Sequence, residues 1–409
     1  MKLLRVDTLE EAMEKLLRAA EKLPLKTHRV RTGEALGSIL AGDMVSTENI
    51  PGFRRSTVDG YAVLAQDTQG AAETLPVFLE LTEEVSAGQV PGHRLHSGQC
   101  AYVPTGGMIP EGADAMVMIE YCEPFGTGQI AVGQSVSPGK DVVPVGDDIR
   151  IGNVFIKKGT KIRAQEIGGL LAAGIEEIPV FAPFRVTVLS TGDELVEPGI
   201  MPGPGQMRDI NTGVLKTLAC QYGCDVIRTG LLQDDREQFL QTVNAAMRDS
   251  DLVLLSGGSS QGNKDFTAEV IDRLAKPGVF THGLALKPGK PTILGYDERS
   301  RTVLAGLPGH PAAAMLVFVL LFGRMFKKLR GERQTVCIPA QMECNVPGAP
   351  GRETCQLVRL LPGEDGYLAR PVFGKSGLIT TLTEADGYTM IPVNREGLCT
   401  GERVRVWML

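Results

Sequence analysis

Apolar positions near the start of the chain repeat at the spacing of an α-helix. Positions 9, 12, 13, 16 and 17 fall on one helical face, and Thr8 with Glu11 matches a capping box, so a helix is predicted from Thr8 onward. A shorter helix is predicted over residues 32–40. Residues 164–173 again have helical spacing. We assign residues 1–48 and 149–183 to an N-terminal helical and linker domain.

The pattern changes between these two parts. In residues 49–148, short apolar runs such as 76–81, 101–104 and 115–120 alternate with glycine and proline turns. Short strands bounded by turns are typical of β structure. We therefore predict a β-rich domain inserted into the N-terminal domain.

From residue 184 onward, strand and helix patterns alternate. Strands are predicted at residues 185–189, 225–231 and 252–255, and helices at 211–222, 236–247 and 266–274, followed by an apolar helix that starts near Pro311. Such alternation favours a mostly parallel sheet covered on both faces. Short strands return after residue 331. The predicted fold is multidomain α/β plus β: a central α/β domain over residues 184–330, the β-rich insertion, and a small C-terminal β domain over residues 331–409.

Composition and charge exclude several classes of protein. The net charge of −6 argues against a general nucleic-acid binder. Residues 1–22 lack the apolar core of a signal peptide, and the most apolar run, residues 312–322, is shorter than the roughly 20 residues of a membrane span. The eight cysteines form no CxxC pair, which favours reduced thiols over a zinc site. We expect a cytoplasmic protein without membrane or nucleic-acid partners.

Carboxylates follow three of the predicted strands. Glu194, Asp234, Asp235 and Asp265 are expected at the carboxyl edge of the sheet, where α/β proteins bind ligands. Acids this close repel one another unless a cation compensates, and carboxylate oxygens suit Mg²⁺. The alternative is that Asp235 and Asp265, which stand before predicted helices, only cap those helices. Taken together, the four acids favour a metal and phosphate site.

A glycine-rich turn stands at the same edge. It joins a strand to a helix, so its backbone N–H groups and the helix dipole can attract an anion. A simple tight turn is the alternative. The turn contains Gly257, Gly258, Ser259 and Ser260.

Basic residues follow in residues 287–291, which read KPGKP. Proline and glycine hold Lys287 and Lys290 in a turn without acidic sequence neighbours, which suits a phosphate or an oxyanion. An ordinary surface turn is the alternative. His310, at a further strand-to-helix turn, is a candidate ligand or base, although a histidine there is more often structural.

Two polar turns of the β-rich domain are also candidates. One contains Asp59-Gly60, which alone predicts a hairpin, and the other begins at Pro104-Thr105. We see no partner for the Asp59 loop within its own domain.

These motifs, in this order, resemble the MoeA family of molybdopterin molybdenumtransferases. Residues 51–62 (PGFRRSTVDGYA) resemble its PxxxxSxxDGYA signature, and residues 104–115 (PTGGMIPEGADA) its PTGGxxPxGADA segment. Residues 190–195 (STGDEL) and 208–211 (RDIN) resemble elements of its molybdopterin-binding domain. The set is completed by residues 256–260 (SGGSS), 264–265 (KD), 287–291 (KPGKP) and 306–309 (GLPG).

The resemblance implies a specific activity. Members of the family bind adenylylated molybdopterin and molybdate, cleave the adenylate in a Mg²⁺-dependent step, and place molybdenum on the dithiolene. They are homodimers whose site lies between the molybdopterin-binding domain of one subunit and the β domain of the other. Other proteins of molybdenum cofactor biosynthesis are candidate partners.

The site residues follow from motif position. The expected catalytic residues are Asp59, Asp148, Glu194 and Asp265, and the expected metal ligands are Glu194, Asp234 and Asp265. Which acid contacts metal and which positions water stays open, as does the choice between Asp234 and Asp235. The expected substrate-binding residues are Ser56, Thr105, Thr191, Gly192, Asp193, Asp234, Asp235, Gly257, Gly258, Ser259, Ser260, Lys287, Lys290, Pro308, Gly309 and Ser376.

The chain departs from the family pattern at three positions. Val143 replaces a basic residue, and the usual Gly-Asn-Pro-Val-Ser turn has His310 and Ala313 in place of an amide and a hydroxyl. These changes bear on anion affinity and metal choice. The alternatives are a paralogue that handles tungstate, a molybdopterin adenylyltransferase, which would lack residues 51–62 and the flanking domains, and a non-catalytic scaffold like the related domain of gephyrin.

Overall fold

A six-stranded, mostly parallel sheet forms the centre of residues 184–330. The computed structural model describes residues 6–233, 235–257, 264–333 and 335–409, without the side chains of residues 264 and 265. Four neighbouring strands pair in parallel, and two further strands extend the sheet on one side through antiparallel pairings, so the sheet is mostly parallel, as predicted. Their order is Cys224–Leu232, Phe184–Thr191, Leu252–Gly257, Thr302–Leu307, Ile293–Asp297 and Pro277–His282.

Both faces of this sheet are covered, as predicted. Successive strand residues point to opposite sides, so Val188 joins one hydrophobic cluster and Leu189 the other. Helices Arg236–Asp249 and Lys264–Leu274 cover one face. Helix Asn211–Gln221 and a continuous helical run cover the other. That run comprises Pro311–Val317, a π-helical segment Phe318–Gly323, and Arg324–Arg330.

The apolar run near Pro311 is a buried helix, which confirms that prediction. Phe318 is fully buried, and its ring lies 5.8 Å from that of Phe322 and 5.9 Å from that of Tyr222. The helix ends at Gly331, whose φ of 69° favours glycine. No helix within the described ranges is long and apolar enough to cross a membrane.

The predicted first helix spans Leu9–Ala20 and has the predicted capping box. Thr8 Oγ1 accepts the N–H of Glu11, and the Glu11 carboxylate accepts the N–H of Thr8. Its apolar face packs into the same core as Phe184 and Phe326, so this helix is part of the central layer.

Residues 27–48 and 149–183 pair with each other in a small unit. Two antiparallel strand pairs hold it together around a core that includes Leu40, Ile162 and Leu170. The pairs are Thr27–Arg31 with Glu177–Phe181 and Met44–Val45 with Val154–Ile156.

One of the two helices predicted for this unit is wrong. The helix predicted at residues 164–173 forms, as Ala164–Ala172. Residues 32–40 contain only a 3₁₀ turn, Thr32–Glu34. Gly37 has a φ of 81°, and its N–H donates to the carbonyl of Ile162, so the chain leaves the helical conformation there.

The inserted domain is built on its own six-stranded sheet. Hydrophobic clusters lie on its two sides, one around Leu79 and Val117 and the other around Val103 and Met116. The strand order is Ala115–Met118, Gly60–Val63, Gln99–Val103, Val77–Glu84, Gln129–Val132 and Cys122–Phe125, and Arg55–Ser56 pairs separately with Val142–Val143.

The C-terminal segment closes into a small barrel. Its first long strand, Glu353–Gly363, pairs with both Gly366–Pro371 and Gly387–Ile391, which completes the ring. The remaining barrel strands are Cys337–Met342 and Arg403–Met408. Leu286–Lys287, from the central domain, adds a parallel strand beside Glu353–Gly363.

Buried thiols provide a test of this packing. Burial raises the pKa of Cys100, Cys122 and Cys224 to about 12, whereas Cys220 and Cys399 are exposed. Since the thiolate is the reactive form, a maleimide at neutral pH should label the two exposed cysteines first. The three buried thiols should react only after unfolding, as followed by peptide mass spectrometry.

The same thiols predict how stability depends on alkaline pH. They stay protonated in the folded state while unfolded thiols ionise near about pH 8.5, so the free energy of unfolding should fall as pH rises above that value. Rapid labelling of Cys100 or Cys224 in the folded protein would contradict this account of the core.

Candidate functional site

Strand register brings the motif loops of the central domain to one edge of the sheet. Thr191 pairs with both Leu232 and Gly257, and Ser256 pairs with Leu307. The loops after these residues therefore leave the carboxyl edge side by side, where ligands of α/β proteins bind. The predicted convergence of the motif loops is confirmed for the described residues.

Two glycines permit close contact between these loops. Gly257 has a φ of 105°, and a Cβ placed on it would lie 2.1 Å from the carbonyl oxygen of Thr191. Gly192 has a φ of 155°, and a Cβ there would lie 2.8 Å from Glu194 Oε2. Glycine at these positions lets one backbone touch the next and lets the Glu194 carboxylate lie over the turn.

Buried polar side chains join the loops below this edge. Asn211 Nδ2 donates to Ser256 Oγ and to the carbonyl of Gly309, both at 2.7 Å. Ser190 Oγ donates to Asp209 Oδ1 at 3.1 Å. No individual role was predicted for Asn211 or Asp209. A sequence signal for both residues does exist. Asp209 and Asn211 are polar residues at the start of a helix, and they follow a strand that itself ends in polar residues.

The predicted acids of this edge have different environments. Glu194 is exposed. Asp235 caps helix Arg236–Asp249, because its Oδ1 accepts the N–H groups of Glu237 and Gln238 at 2.9 and 3.0 Å. The capping alternative is therefore confirmed for Asp235. For Asp265 the predicted position before the helix is wrong, since the helix begins at Lys264.

Part of the predicted site lies outside the described residues. This applies to Asp234, Gly258, Ser259, Ser260 and the side chain of Asp265. Within the described ranges, no group of three or more His, Cys, Asp or Glu side chains is arranged to hold a metal. The Mg²⁺ set of Glu194, Asp234 and Asp265 stays a prediction.

A cationic cleft lies between the central domain and the C-terminal barrel. It has a volume of about 790 Å³, and among the described residues that line it there is no aspartate or glutamate. Four of its lining residues are cationic: Lys287, Lys290, Arg352 and Lys375. The predicted substrate residues Pro308, Gly309 and Ser376 line the same cleft.

Pairing between the two domains builds this cleft. Leu286 pairs with Glu353 and Lys287 with Thr354 in parallel register, which brings the KPGKP turn beside Arg352. Gly289, with a φ of 133°, packs so closely that a Cβ would lie 2.8 Å from Val317 Cγ2. Arg352 was not predicted, because its proximity to Lys287 depends on this long-range pairing.

Two predicted residues of the inserted domain are bonded to each other. Asp59 Oδ1 accepts the N–H of Thr105 at 2.8 Å, and both side chains are exposed. The expectation that the Asp59 loop lacks a partner in its own domain is therefore wrong. Ser56 is buried. Its Oγ donates to the carbonyl of Val58 and accepts the N–H of the same residue, so the side chain stabilises the turn before Asp59.

The acidic loop of residues 141–148 starts beside the segment that leads into the Asp59 turn, because the N–H of Thr57 donates to the carbonyl of Asp141. The N–H of Asp148 donates to the carbonyl of Ile50, and the side chain of Asp148 is exposed. Among the described residues, hydrogen bonds and strand pairs connect residues 49–148 to no element of residues 184–330. The predicted residues thus fall into two groups within one chain, the inserted domain and the central domain with its cleft.

Comparison with known proteins covers all of these parts. Residues 7–174 match the family described as MoeA N-terminal region (domain I and II), residues 187–328 the probable molybdopterin binding domain, and residues 339–409 the MoeA C-terminal region (domain IV). A molybdopterin molybdenumtransferase of Haemophilus influenzae is 32% identical over 406 residues, which is 98% of each chain. The chain belongs to the MoeA family.

Further relatives agree with this membership. A molybdopterin molybdenumtransferase of Bacillus subtilis is 29% identical over 391 residues, covering 94% of this chain and 90% of that one. The crystal structure of a molybdopterin biosynthesis MoeA protein from Pyrococcus horikoshii superposes with a TM-score of 0.83 at 30% identity, covering 99% of this chain and 100% of that one.

Membership in the MoeA family makes this chain a transferase of molybdenum cofactor biosynthesis. The adenylyltransferase alternative accounts for neither the N-terminal nor the C-terminal match, and the scaffold alternative does not account for relatives that are transferases.

Proposed function

We propose that this chain transfers molybdenum from molybdate onto adenylylated molybdopterin, with Mg²⁺-dependent release of AMP. The observation that carries the proposal is the cationic cleft, which opens between the Gly309 turn and the C-terminal barrel. The Asn211 bonds to Ser256 and Gly309 connect this turn to the sheet edge. One substrate can therefore lie along the edge while an oxyanion occupies the cleft.

Molybdate is a tetrahedral dianion, and the cleft has the chemistry to bind it. Lys287, Lys290 and Lys375 supply ammonium groups, and Arg352 supplies a guanidinium with a fixed fork of donors. The hydroxyl of Ser376 adds a neutral donor. With no carboxylate among the described lining residues, these charges favour an anion.

The sheet edge suits the phosphate-bearing substrate. By motif position, the glycine-rich turn of residues 256–260 would offer backbone N–H groups to phosphate oxygens. The exposed carboxylate of Glu194 is an oxygen ligand of the kind Mg²⁺ prefers, and by motif position Asp234 and Asp265 would join it. When bound, Mg²⁺ supplies Lewis-acid polarisation of the phosphate oxygens as AMP leaves.

A homodimer would complete the site. The inserted domain carries Asp59, Thr105 and Asp148, yet no described hydrogen bond or strand pair connects it to the central domain. A second copy can bring its inserted domain to the sheet edge of the first.

The chain's eight cysteines are free thiols, which suits a cytoplasmic enzyme.

Activity is tested with purified protein, adenylylated molybdopterin, molybdate and Mg²⁺. The expected products are AMP, measured by chromatography, and molybdenum-bearing cofactor, measured by reconstitution of a cofactor-free molybdoenzyme. Omitting Mg²⁺ or molybdate tests each requirement separately. AMP release and metal insertion that proceed equally well without added Mg²⁺, in the presence of a chelator, would contradict the metal-dependent step.

We expect Lys287→Ala to weaken molybdate binding by about tenfold at low ionic strength, because a charge-assisted contact is lost. Calorimetric titration of molybdate measures this. The difference from the unmodified protein should shrink at high salt as screening weakens the charge. Lys290→Ala should have the smaller effect, since the motif match is firmer at Lys287.

The matched control for this titration is Lys216→Ala. Lys216 is exposed on helix Asn211–Gln221 and does not line the cleft, so its replacement should leave affinity unchanged. Equal affinity in the Lys287 and Lys216 variants would show that the KPGKP turn is ordinary surface.

The dimeric site has its own test in mixed subunits. Asp59→Ala should be inactive, and Lys287→Ala should be strongly impaired at low ionic strength and sub-saturating molybdate, but a heterodimer of the two retains one site with both residues intact. Unfolding and refolding an equal mixture should recover about a quarter of wild-type activity. Each variant refolded alone is the control. A mixture no more active than its components, despite confirmed subunit exchange, would place the whole site within one chain.

A further inference from the structure

His310 connects the central domain to the C-terminal segment at the cleft. Its Nδ1 lies 2.8 Å from Ser376 Oγ, and the N–H of Ala312 donates to the Ser376 carbonyl at 3.2 Å. On the other side of the turn, the Gly309 carbonyl is held by Asn211. Gly377 lies over the ring, since a Cβ there would be 3.7 Å from His310 Cδ2. The imidazole is thus fixed against the one hydroxyl predicted to bind substrate in the cleft.

The proton on the imidazole decides what this hydroxyl can do. When Nδ1 carries no proton, it accepts the Ser376 O–H, and the hydroxyl has no proton left to donate to a ligand. When the imidazole is protonated at both nitrogens, Nδ1–H must donate to Ser376 Oγ, an arrangement that a neutral imidazole reaches only as its Nδ1–H tautomer. The serine proton is then free to point into the cleft, and the positive charge lies behind it.

The other charged groups of the cleft are of side-chain types that ordinarily titrate outside the pH range of imidazole. The charged side chains that line it are Lys287, Lys290, Arg352 and Lys375, and lysine and arginine are side-chain types that ordinarily titrate well above pH 8. Burial raises the pKa of the Cys355 thiol in the cleft wall, so it stays protonated. Imidazole is the side-chain type that ordinarily titrates between about pH 5 and 8.

We propose that His310 is a positioning residue that turns the Ser376 hydroxyl toward a bound tetrahedral oxyanion when its imidazole is protonated. The inference rests on the proposed binding of molybdate in this cleft. It assigns a function to a residue that stands where the family pattern has asparagine, an amide that does not titrate. Oxyanion binding in this chain is therefore coupled to proton uptake.

The test is calorimetric titration of dilute, monomeric molybdate into the full-length protein between about pH 6 and about pH 8, a range in which imidazole ordinarily changes charge. We expect the unmodified protein to bind about five- to tenfold more tightly at the acidic end, the gain of one charge-assisted hydrogen bond. His310→Asn should vary less than about twofold over the same range. Ser376→Ala should bind more weakly at acidic pH and keep only the smaller dependence due to the imidazole charge.

The double variant separates a direct coupling from two independent effects. If His310 acts through Ser376, the combined loss at acidic pH should be smaller than the sum of the single losses. Thermal unfolding of each variant, measured at the same pH values, shows whether the fold is intact. His310→Gln serves as a second non-titrating variant if His310→Asn proves unstable.

The outcomes distinguish this inference from the function on which it rests. Molybdate binding that is independent of pH in the unmodified protein, or that depends on pH equally in His310→Asn, contradicts the role of His310 and leaves the oxyanion cleft intact. Absence of molybdate binding at every pH contradicts the cleft itself, and the role of His310 with it.

Discussion

Replacing Gly257 with alanine is expected to abolish the transferase activity and to lower the free energy of unfolding by about 2–4 kcal/mol. The added Cβ would stand 2.1 Å from the carbonyl oxygen of Thr191, and the φ of 105° is unfavourable for alanine. Relief of this contact must move either the end of Leu252–Gly257 or the end of Phe184–Thr191. Both strand ends carry motif loops, so stability and activity should fall together.

Gly70→Ala is the matched control for this experiment. Gly70 also has a positive φ, 78°, but a Cβ there meets nothing within 4 Å. It should show the cost of the backbone conformation alone, about 1 kcal/mol, with activity retained. Chemical denaturation and the AMP-release assay on both variants measure the two effects. A fully active Gly257→Ala enzyme would show that the contact between the two strand ends is not needed for the site.

The second large effect is expected at Asp59, where replacement by alanine should reduce activity by about a hundredfold or more with little loss of stability. The side chain is exposed, so its removal creates no cavity, and only the hydrogen bond from the Thr105 N–H is lost. Such a bond contributes about 1 kcal/mol.

Asp59→Asn separates the charge from the turn. The asparagine Oδ1 can still accept the Thr105 N–H, so the two loops should stay together while the negative charge is gone. If the carboxylate takes part in the reaction, both variants should be inactive and equally well folded. Full activity in Asp59→Asn would show instead that Asp59 only holds the Thr105 loop in place.

The elements that could be predicted from sequence are those fixed by local pattern. The alternation of predicted strands and helices after residue 184 indicates a sheet covered on both faces, and Thr8 with Glu11 predicts a helix start, because both signals are local in the sequence. The helix expected over residues 32–40 fails because Gly37 donates to Ile162, a residue far along the chain. The closure of the C-terminal barrel could not be predicted from sequence either, because Cys337–Met342 pairs with the distant strand Arg403–Met408.

The candidate site shows the same limit. The motifs place Lys287, Gly257 and Ser376 as candidates, but only the fold shows that Lys287 and Ser376 line one cleft. Arg352 and Asn211 depend on contacts between distant segments, and no local pattern marks them. Conversely, the sequence position of Asp235 suited a site at the sheet edge as well as a helix cap, and its bonds to Glu237 and Gln238 show the cap, while a role in the site stays a prediction.

The strand pair between Leu286–Lys287 and Glu353–Gly363 has a consequence for how ligands enter and leave. The pair continues into a shared core, because Cys355, Leu357 and Tyr388 of the barrel lie in the same hydrophobic cluster as Leu286. Two bodies joined by backbone hydrogen bonds and a common interior do not swing apart as a clamshell. The pairing therefore opposes a hinge motion between the two domains that would widen the cleft. Dissociation of the anion from the cleft should therefore be insensitive to solvent viscosity that slows domain motion.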